Sequence, residues 1–302
     1  MGYKSTCNSG GANTGLPKCR GNYGRGQSFI LVPPTAEIDT EANSLLEATW
    51  TAKIKADESI RWYPLPKFFR YAPSREDHIY TSGDFNDKYS VKDGDADGIA
   101  AYLNAPVCFM KKLREFNNQE WKAYEITDEG YIKAWSTDGI KMLPFDVFFN
   151  VEADMDATAE EGRLSQIRIY KKEAYQWNDH GIVINPKDDA IVSWEARSLS
   201  GLLDADVTVV TSIATSVVID VKTDCDLTPV TGLVKDDFIL EDDTPSTESI
   251  TTSTESTTIA GRYTLAMSEL GPDNYTINLK EPAAMTTAGY QAGDDGTFVI
   301  SE

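Results

Sequence analysis

Residues 121–135 read WKAYEITDEGYIKAW, and they decide the fold class. Two strand-like stretches, Trp121 to Ile126 and Tyr131 to Trp135, flank the turn-like run Thr127-Asp128-Glu129-Gly130. A glycine-containing turn between two such stretches is typical of a β-hairpin. The segment therefore predicts two paired strands.

One helix interrupts the strands around this hairpin. The run Asn104-Ala105-Pro106 is typical of a helix start, with Asn104 as the cap and Pro106 in the first turn. Apolar residues then recur on one helical stripe, at Phe109, Met110, Leu113 and Phe116. Further strands are predicted at Tyr89 to Lys92, Ile99 to Leu103, Ile140 to Phe149 and Leu164 to Tyr170. We therefore expect a mainly β domain with one flanking helix.

The N-terminal part divides into an arm and the start of the folded domain. Residues 1–28 are rich in Gly, Asn and Ser and show no helical or strand period, which predicts an arm. The first predicted strand is Phe29-Ile30-Leu31-Val32. Residues 40–50 predict a helix capped by Thr40, with a strand over 48–54 as the alternative. The apolar face of this helix would hold Ala42, Leu45, Leu46 and Thr49. Two prolines in 61–69 exclude a helix there and predict an extended segment.

The last third of the chain differs in composition from the rest. Residues 206–302 hold 17 acidic and 4 basic side chains, are rich in Thr and Ser, and contain no Trp. Apolar alternation, for example at Tyr275, Ile277 and Leu279, predicts a small β-sandwich. The polar run Thr244 to Thr258 is expected to be a long exposed loop. We therefore expect three parts: an arm at 1–28, a β domain at 29–205 and a small β-sandwich at 206–302.

The overall composition excludes several classes of protein. The 302 residues are 41% hydrophobic, which is enough for a buried core and excludes global disorder. A net charge of −20 argues against tight binding of nucleic-acid phosphates, which needs clustered cations. No stretch approaches the roughly 20 apolar residues of a membrane span. The first seven residues lack the apolar core of a secretory signal, and four cysteines are too few for a disulfide scaffold.

The sharpest local motif is Asp93-x-Asp95-x-Asp97-Gly98. It matches the first half of a calcium-binding loop, which places oxygen ligands at alternate positions around a glycine turn. The twelfth position is Asn104 rather than glutamate, and the flanks are strand-like, so an acidic turn is the favoured interpretation and calcium binding is the alternative. Cys7 and Cys19 have no neighbouring His or second Cys pair, so thiols are favoured over a zinc site. Whether these two cysteines pair stays open.

No motif nominates an active site. Neither His78 nor His180 lies in a nucleophile motif, and the chain has no phosphate-binding glycine loop and no dinucleotide fingerprint. A catalytic carboxylate pair cannot be chosen from 48 acids by sequence, because the distance between its members defines it. We expect no enzymatic activity, no catalytic residue, no cofactor and no resident metal.

Two other features have alternative interpretations. Aromatic packing is favoured over a sugar-stacking platform for Trp50, Trp62, Trp121, Trp135, Trp177 and Trp194. Asn274-Tyr275-Thr276 matches a glycosylation acceptor and is expected to be incidental.

The order of strand, helix, hairpin and strand over 98–172 resembles the tail-tube proteins of long-tailed bacteriophages. Those proteins are β-sandwiches or barrels with one flanking helix that stack as hexameric rings, and many carry a C-terminal immunoglobulin-like domain. Runs that look like phage and bacterial immunoglobulin-like repeats are Val217 to Val221, Pro229 to Leu233, Gly261 to Leu265 and Asn274 to Leu279. Runs that are similar to structural proteins of phages infecting Bacteroidetes are Cys7 to Cys19, Ile30 to Pro33 and Trp62 to Phe68.

The resemblance implies a virion structural protein that forms the stacked-ring tail tube through which phage DNA passes. Implied partners are copies of itself in hexameric rings, other virion tail proteins, and DNA that passes the lumen without specific binding; no membrane is involved. The arm at 1–28 would lock successive rings, and acidic side chains facing the bore would repel DNA phosphates. The chain would assemble in the host cytoplasm and end in the virion tail. The alternatives are a capsid decoration or head-fibre protein and, from another class, a glycan-binding surface adhesin.

Overall fold

A computed structural model describes most of the chain, and its residues fall into two compact units. The described residues are 23–72, 79–82, 88–92, 100–103, 105–152, 165–188, 190–244, 246–287 and 289–301. The first unit comprises the chain up to Ile54 and Glu58–Ser200, and the second comprises Lys55–Asp57 and Gly201–Glu302. The expectation of a mainly β protein is confirmed in both units.

The first unit contains eleven described strands and four short helices. The strands are β1 (Gly26–Val32), β2 (Tyr63–Pro64), β3 (Arg70–Ala72), β4 (Ile79–Ser82), β5 (Lys88–Lys92), β6 (Ala100–Leu103), β7 (Trp121–Thr127), β8 (Ile132–Trp135), β9 (Phe145–Val151), β10 (Ser165–Lys171) and β11 (Gly181–Ile184). The helices are α1 (Glu41–Ser44), α2 (Glu47–Ile54), α3 (Val107–Leu113) and α4 (Ala174–Asn178).

Nine of these strands form one strongly curved antiparallel sheet, and β4 and β5 form a separate hairpin. Strand β7 is the centre of the sheet, because β1 pairs with one of its edges while β9 and β8 pair with the first and second halves of the other. From β9 the sheet continues through β10 and β6 to β3. The predicted hairpin at 121–135 is thus present as β7 and β8.

The extended segment 63–72 brings the two ends of the sheet together. Near its start the Leu65 N–H donates to the Phe29 carbonyl of β1, at 2.8 Å. Near its end the Phe69 N–H donates to the Tyr102 carbonyl of β6, also at 2.8 Å. The sheet therefore curls into a barrel-like shape.

Alternate side chains of β1, β6, β7, β9 and β10 fill the inside of this barrel, as the two-residue period of strands requires. The described members of this core are Phe29, Leu31, Leu65, Phe68, Ala101, Leu103, Met110, Leu113, Trp121, Ala123, Phe145, Val147, Phe149, Val151, Ile167 and Ile169. Helix α3 contributes Met110 and Leu113, so its predicted apolar stripe does pack on the core. The helix follows Pro106 directly, and the expected cap Asn104 lies outside the described residues.

Helices α1 and α2 replace the single helix predicted at 40–50. Thr40 caps α1 as expected, with its hydroxyl accepting from the Asn43 N–H at 3.2 Å. The predicted apolar face is wrong, because the chain breaks between the two helices and loses the single helical period. Leu46 is 46% exposed, whereas Trp50 and Ile54 are the buried side chains of α2.

The second unit is a two-layer sandwich with the strand order of an immunoglobulin domain. Its strands are β12 (Leu203–Ile213), β13 (Ser216–Thr223), β14 (Phe238–Asp242), β15 (Thr247–Glu248), β16 (Ile250–Glu255), β17 (Arg262–Met267), β18 (Asp273–Leu279), β19 (Tyr290–Ala292) and β20 (Gly296–Ile300). One sheet has the order β16-β17-β13-β12-β19 and the other β15-β14-β18-β20. In immunoglobulin lettering these contain D-E-B-A and C-F-G, which is the expected arrangement.

A tyrosine near the start of β18 supports the same assignment. The Tyr275 hydroxyl donates to the Gly271 carbonyl four residues upstream, at 3.1 Å. A tyrosine near the start of strand F that bonds back to the preceding corner recurs in immunoglobulin-like sandwiches. The alternation of Tyr275 with Ile277 predicts the strand but not this role of the hydroxyl.

Two sequence-based expectations concern the second unit. Its main segment begins at Gly201, close to the boundary expected near residues 205 and 206, and β12 runs across that position. The run Thr244 to Thr258 is not one long loop, because β16 pairs with β17 along Ile250–Glu255. Edge strands with two largely exposed faces carry little apolar alternation, so a Thr-rich strand resembles a loop in sequence.

Asp237 is a buried carboxylate that joins two loops of the second unit. It is fully buried and accepts hydrogen bonds from the backbone N–H groups of Val234, Thr286 and Thr287 and from the Thr287 hydroxyl. Burial alone would raise the pKa of Asp237, but these hydrogen bonds outweigh it and hold the pKa below its ordinary value of 3.8. The ionised form is therefore the one that the fold stabilises.

Replacing Asp237 with asparagine is expected to destabilise the second unit by about 1.5–3 kcal/mol, the usual value of hydrogen bonds to a charged group. The ionised Asp237 should contribute fully to the free energy of unfolding above about pH 4, and this contribution should be lost as the pH falls through the lowered pKa. The free energy of unfolding of the variant should therefore change less with pH in the acid range. Urea unfolding at several pH values measures both effects. Asp236→Asn is the matched control, because Asp236 is exposed. Equal losses in the two variants would contradict the assignment.

No helix among the described residues is long and apolar enough to cross a membrane.

Candidate assembly surface

The outer face of the barrel over β3, β6, β9 and β10 carries exposed aromatic and arginine side chains. Alternation along each strand turns one set of residues into the core and the next set outward. The outward set that concerns us is Arg70, Tyr102, Phe148, Arg168 and Tyr170. We call these five residues the aromatic–arginine face.

The strand register arranges these side chains in cross-strand pairs. Phe148 of β9 lies opposite Tyr170 of β10, and the two rings stack with centroids 5.0 Å apart at an angle of 19°. Arg70 of β3 lies opposite Tyr102 of β6, with its guanidinium carbon 5.8 Å from the ring centroid. Such contacts restrict the rotamers of these large side chains in the free protein. Binding a partner then costs less side-chain conformational entropy.

Charged side chains of both signs surround the aromatic–arginine face. Arg168 pairs with Glu152, and Lys122 pairs with Asp146 at 3.5 Å. Two further cations, Arg70 and Lys172, lie on exposed positions of the same strands or just beyond them. Glu120 and Glu173 lie beside Lys122 and Lys172, so four cations accompany four carboxylates around this face.

Both the composition and the exposure of this face are typical of a protein–protein interface. Phe148 is 38% exposed and the Arg168 side chain 51%. The stacked rings of Phe148 and Tyr170 therefore leave apolar area in contact with solvent. Tyr, Phe and Arg are enriched at interface centres, where they supply much of the binding energy. The face can therefore bind another macromolecule through apolar stacking and paired charges.

An edge strand adds a second feature suited to association. Strand β11 pairs with β8, and in the described part of the chain no strand pairs with its other edge. Unpaired backbone groups on an edge can accept a further strand. Gly181 opens this strand and is exposed.

A buried ion cluster lies inside the barrel, near the end where β10 finishes. Glu125 is 4% exposed, and its two oxygens accept from Lys133 at 2.9 Å and Lys171 at 2.6 Å. The Lys171 ammonium also lies 3.9 Å from the Phe145 ring centroid and 4.9 Å from that of Trp177. These contacts join β7, β8, β9, β10 and α4, so the cluster supports the shape of the barrel.

The protonation states of this cluster follow from burial and from the paired charges. Burial would raise the pKa of Glu125, but the attraction and hydrogen bonds of Lys171 and Lys133 prevail and hold that pKa below its ordinary range. Burial lowers the pKa of Lys171, and Glu125 opposes this effect. Burial, with a smaller effect of Glu125, raises the pKa of Tyr71.

This cluster is not among the predictions from the sequence, although a signal for it is present. Glu125 follows Trp121 and Ala123 at the same strand phase, which places a carboxylate on the core side of a predicted strand. A charged residue at an inward-facing position of a strand indicates a buried partner of opposite charge. Because both lysines pair with this one carboxylate, we interpret the cluster as structural.

Several residues singled out by sequence lie outside the described part of the chain. This applies to the motif at Asp93, Asp95 and Asp97, to Cys7 and Cys19, and to His78. His180 is exposed beside the rings of Trp135 and Tyr175. Cys108 and Cys225 are described, and each is disulfide-bonded.

The tryptophans lie mainly in cores. Trp50, Trp62, Trp121 and Trp194 are buried, and the indole nitrogens of Trp50, Trp121 and Trp194 donate to backbone carbonyls. Trp62 cannot stack on a sugar at 2% exposure. Trp135 and Trp177 are partly exposed but contact Tyr175 and Phe145 respectively. Asn274, the formal glycosylation acceptor, is exposed and donates to Asp243 at 2.7 Å.

One shallow depression lies between β7 and β9, with a volume of about 200 Å³. Its lining includes Trp121, Lys122, Asp146, Lys172 and Glu173. Its charged groups border the aromatic–arginine face, so this depression belongs to the rim of that surface.

Comparison of the sequence with protein-family models and with curated proteins finds no match to either. The resemblance to tail-tube proteins therefore stays a prediction.

Proposed function

We propose that this chain is a virion structural protein that forms the stacked-ring tail tube of a bacteriophage. The observation that carries the proposal is the aromatic–arginine face on a curved, barrel-like sheet. A surface of this composition lowers its free energy by association, and a sheet with an open edge strand offers hydrogen bonds to a neighbour. Its partners would be copies of itself and other tail proteins.

The two-unit organisation supports the same function. A β barrel with a helix packed on its core can build a wall, and a separate immunoglobulin-like unit can decorate the assembled particle. The second unit is strongly acidic, with 17 acidic and 4 basic side chains over 206–302. Excess negative charge keeps an assembly soluble and repels DNA phosphates, so DNA could pass a tube without specific binding.

The proposed role is structural rather than enzymatic. The polar cluster at Glu125 is enclosed, and the described depression near Trp121 holds no paired nucleophile and base. Capsid decoration is the alternative within the same class, and the number and position of copies in a particle separate the two roles. Glycan binding would need exposed aromatic platforms, and the burial of four tryptophans disfavours it.

Electron microscopy of the purified chain tests the proposal. We expect closed rings with sixfold symmetry that stack into tubes at higher concentration. Particles in which the chain occupies the head surface instead would support the capsid alternative. Dispersed single molecules at every concentration would contradict both roles.

A further inference from the structure

The outer edge of β16 in the second unit offers backbone groups for a further strand. Strand β16 lies at the end of its sheet and pairs with β17 on one side. Among the described residues, no strand pairs with its other side. Thr252 and Thr254 of this strand are exposed, so solvent reaches the edge. An edge of this kind is a template for pairing with another chain.

The register between β16 and β17 shows which backbone groups face outward. The Ser256 N–H donates to the Arg262 carbonyl at 2.8 Å, which makes these two residues a hydrogen-bonded pair. Hydrogen-bonded pairs alternate along an antiparallel ladder, so Thr254 also bonds to β17. The N–H and carbonyl groups of Ser253 and Glu255 therefore point away from β17. Within the described ranges, neither residue makes a backbone hydrogen bond on that outer side.

The edge carries no free charge, although the unit around it does. The second unit is strongly acidic, so two copies of it repel each other except where carboxylates are absent. Residues 250–254 hold no charged side chain. The Glu255 oxygens accept from the Gly232 N–H at 2.9 Å and the Gly261 N–H at 3.3 Å, which turns this carboxylate toward its own unit. The edge strand β15 of the other sheet, by contrast, carries Glu248.

The usual protections of an edge strand are largely missing from β16. Proteins discourage edge pairing with lysine, proline, bulges or very short strands. Strand β16 has six residues and contains neither lysine nor proline. Its bulge lies between Ile250 and Thr252 and leaves residues 252–255 in regular register. Threonine favours strands, and opposed threonines attract each other across a ladder.

We infer that β16 pairs antiparallel with β16 of a second copy of this chain. The register that uses both outward-facing residues sets Ser253 of each copy opposite Glu255 of the other. Each of these pairs exchanges two backbone hydrogen bonds, and Thr254 lies opposite its own counterpart. The contact is two-fold and uses the same edge of both copies, so it closes at a dimer.

The inference goes beyond the proposed function, because it concerns the second unit alone and not the aromatic–arginine face. A single strand pair buries much less than the roughly 1,600 Å² of a typical stable interface. We therefore expect a weak dimer in dilute solution. Copies held close together in one particle have a high effective concentration, which favours the same contact.

A cysteine cross-link in the full chain tests the pairing. In the inferred register the two copies of Thr254 form a non-hydrogen-bonded pair with Cα atoms about 4.5 Å apart, a distance that a disulfide spans. We expect Thr254→Cys to form a covalent dimer on mild oxidation. A non-reducing gel measures the dimer, and peptide mapping locates the new bond.

Thr264→Cys is the matched control for the cross-link. Thr264 is exposed and lies directly opposite Thr254 on β17. In the inferred dimer the two copies of Thr264 are three strand spacings apart, about 14 Å, which is too far for a disulfide. We expect about tenfold less dimer from Thr264→Cys than from Thr254→Cys under the same oxidation.

A second pair of variants separates strand pairing from chance collision. Ser253→Pro removes an outward-facing N–H that β17 does not use, and proline is tolerated at such an edge position. Added to Thr254→Cys, it should lower the yield of dimer about tenfold, because the ladder between copies loses donors and meets the proline ring. Ser253→Ala keeps the N–H and should leave the yield unchanged. Thermal unfolding verifies that all variants fold.

Two results would overturn the inference: equal cross-linking by Thr254→Cys and Thr264→Cys, or a dimer yield that Ser253→Pro does not lower. Either result would show that β16 does not pair with a second copy. Neither result decides the proposed function, because rings seen by electron microscopy without the cross-link would leave the tail-tube role standing. A specific cross-link without rings would support the pairing and contradict that role.

Discussion

Replacement of Glu125 by leucine is expected to destabilise the first unit by about 3–5 kcal/mol, the usual cost of removing one partner from a buried ion pair. The change leaves Lys133 and Lys171 without their shared carboxylate, at side-chain exposures of 13% and 22%. An ammonium in such a place has lost most of its hydration, and aromatic rings compensate only in part. Urea unfolding at neutral pH measures the loss.

The pH dependence of the same variant gives a second readout. Because the folded protein holds the pKa of Glu125 below its ordinary value of 4.5, the carboxylate stabilises the wild type fully above that pH. This stabilisation is lost as the pH falls through the lowered pKa. The Glu125→Leu variant should lack this part of the acid sensitivity.

Two controls separate burial from charge. Glu37→Gln breaks an ion pair whose side chains are 38% and 45% exposed, so a loss of at most about 1 kcal/mol is expected. The triple change Glu125→Leu, Lys133→Met and Lys171→Met removes the whole cluster and should recover much of the loss. A Glu125→Leu variant as stable as Glu37→Gln would show that the cluster is not buried as described.

Replacement of Trp50 by alanine is the second change with a large expected effect, about 3–5 kcal/mol. Trp50 is fully buried and contacts Trp62, Tyr124 and Trp194, with ring centroids 5.1–6.3 Å apart. Its removal leaves a cavity between α2 and the sheet and loses the hydrogen bond to the Ser44 carbonyl. Thermal and urea unfolding measure the effect.

Trp50→Phe and Phe69→Ala complete this test. Trp50→Phe keeps an aromatic ring but no indole nitrogen. Its free energy of unfolding should therefore lie between those of Trp50→Ala and the wild type. Phe69 is 72% exposed, and Phe69→Ala should change stability by less than about 0.5 kcal/mol. If Trp50→Ala lowers the free energy of unfolding by less than about 1 kcal/mol, the packing of Trp50 on Trp62, Tyr124 and Trp194 does not stabilise the barrel.

Local patterns predicted the strands and α3 because their signals are short-range. The turn at Thr127-Asp128-Glu129-Gly130 and the stripe of Met110 and Leu113 each depend on a few neighbouring residues. Helix α4, by contrast, has five residues and no apolar stripe of its own. Its Gln176 is buried through a hydrogen bond to the backbone N–H of Asp146, thirty residues away. Such a contact leaves no local signal.

The candidate surface was harder to predict than the strands beneath it. Alternation shows that Phe148 and Phe149 face opposite sides of a strand, but not which side is the core. The sheet must curl and α3 must cover one end before Phe148, Tyr170 and Arg168 become outward-facing. The exposure of Leu46 has a similar origin, because it depends on the break between α1 and α2.

Sedimentation velocity of the wild-type chain over a wide range of concentration tests the central claim most directly. The claim is that this protein is a building block whose surfaces are completed by copies of itself. We predict that the 33.3 kDa chain gives larger species whose proportion rises with concentration. A single species of 33.3 kDa at every concentration would contradict the account.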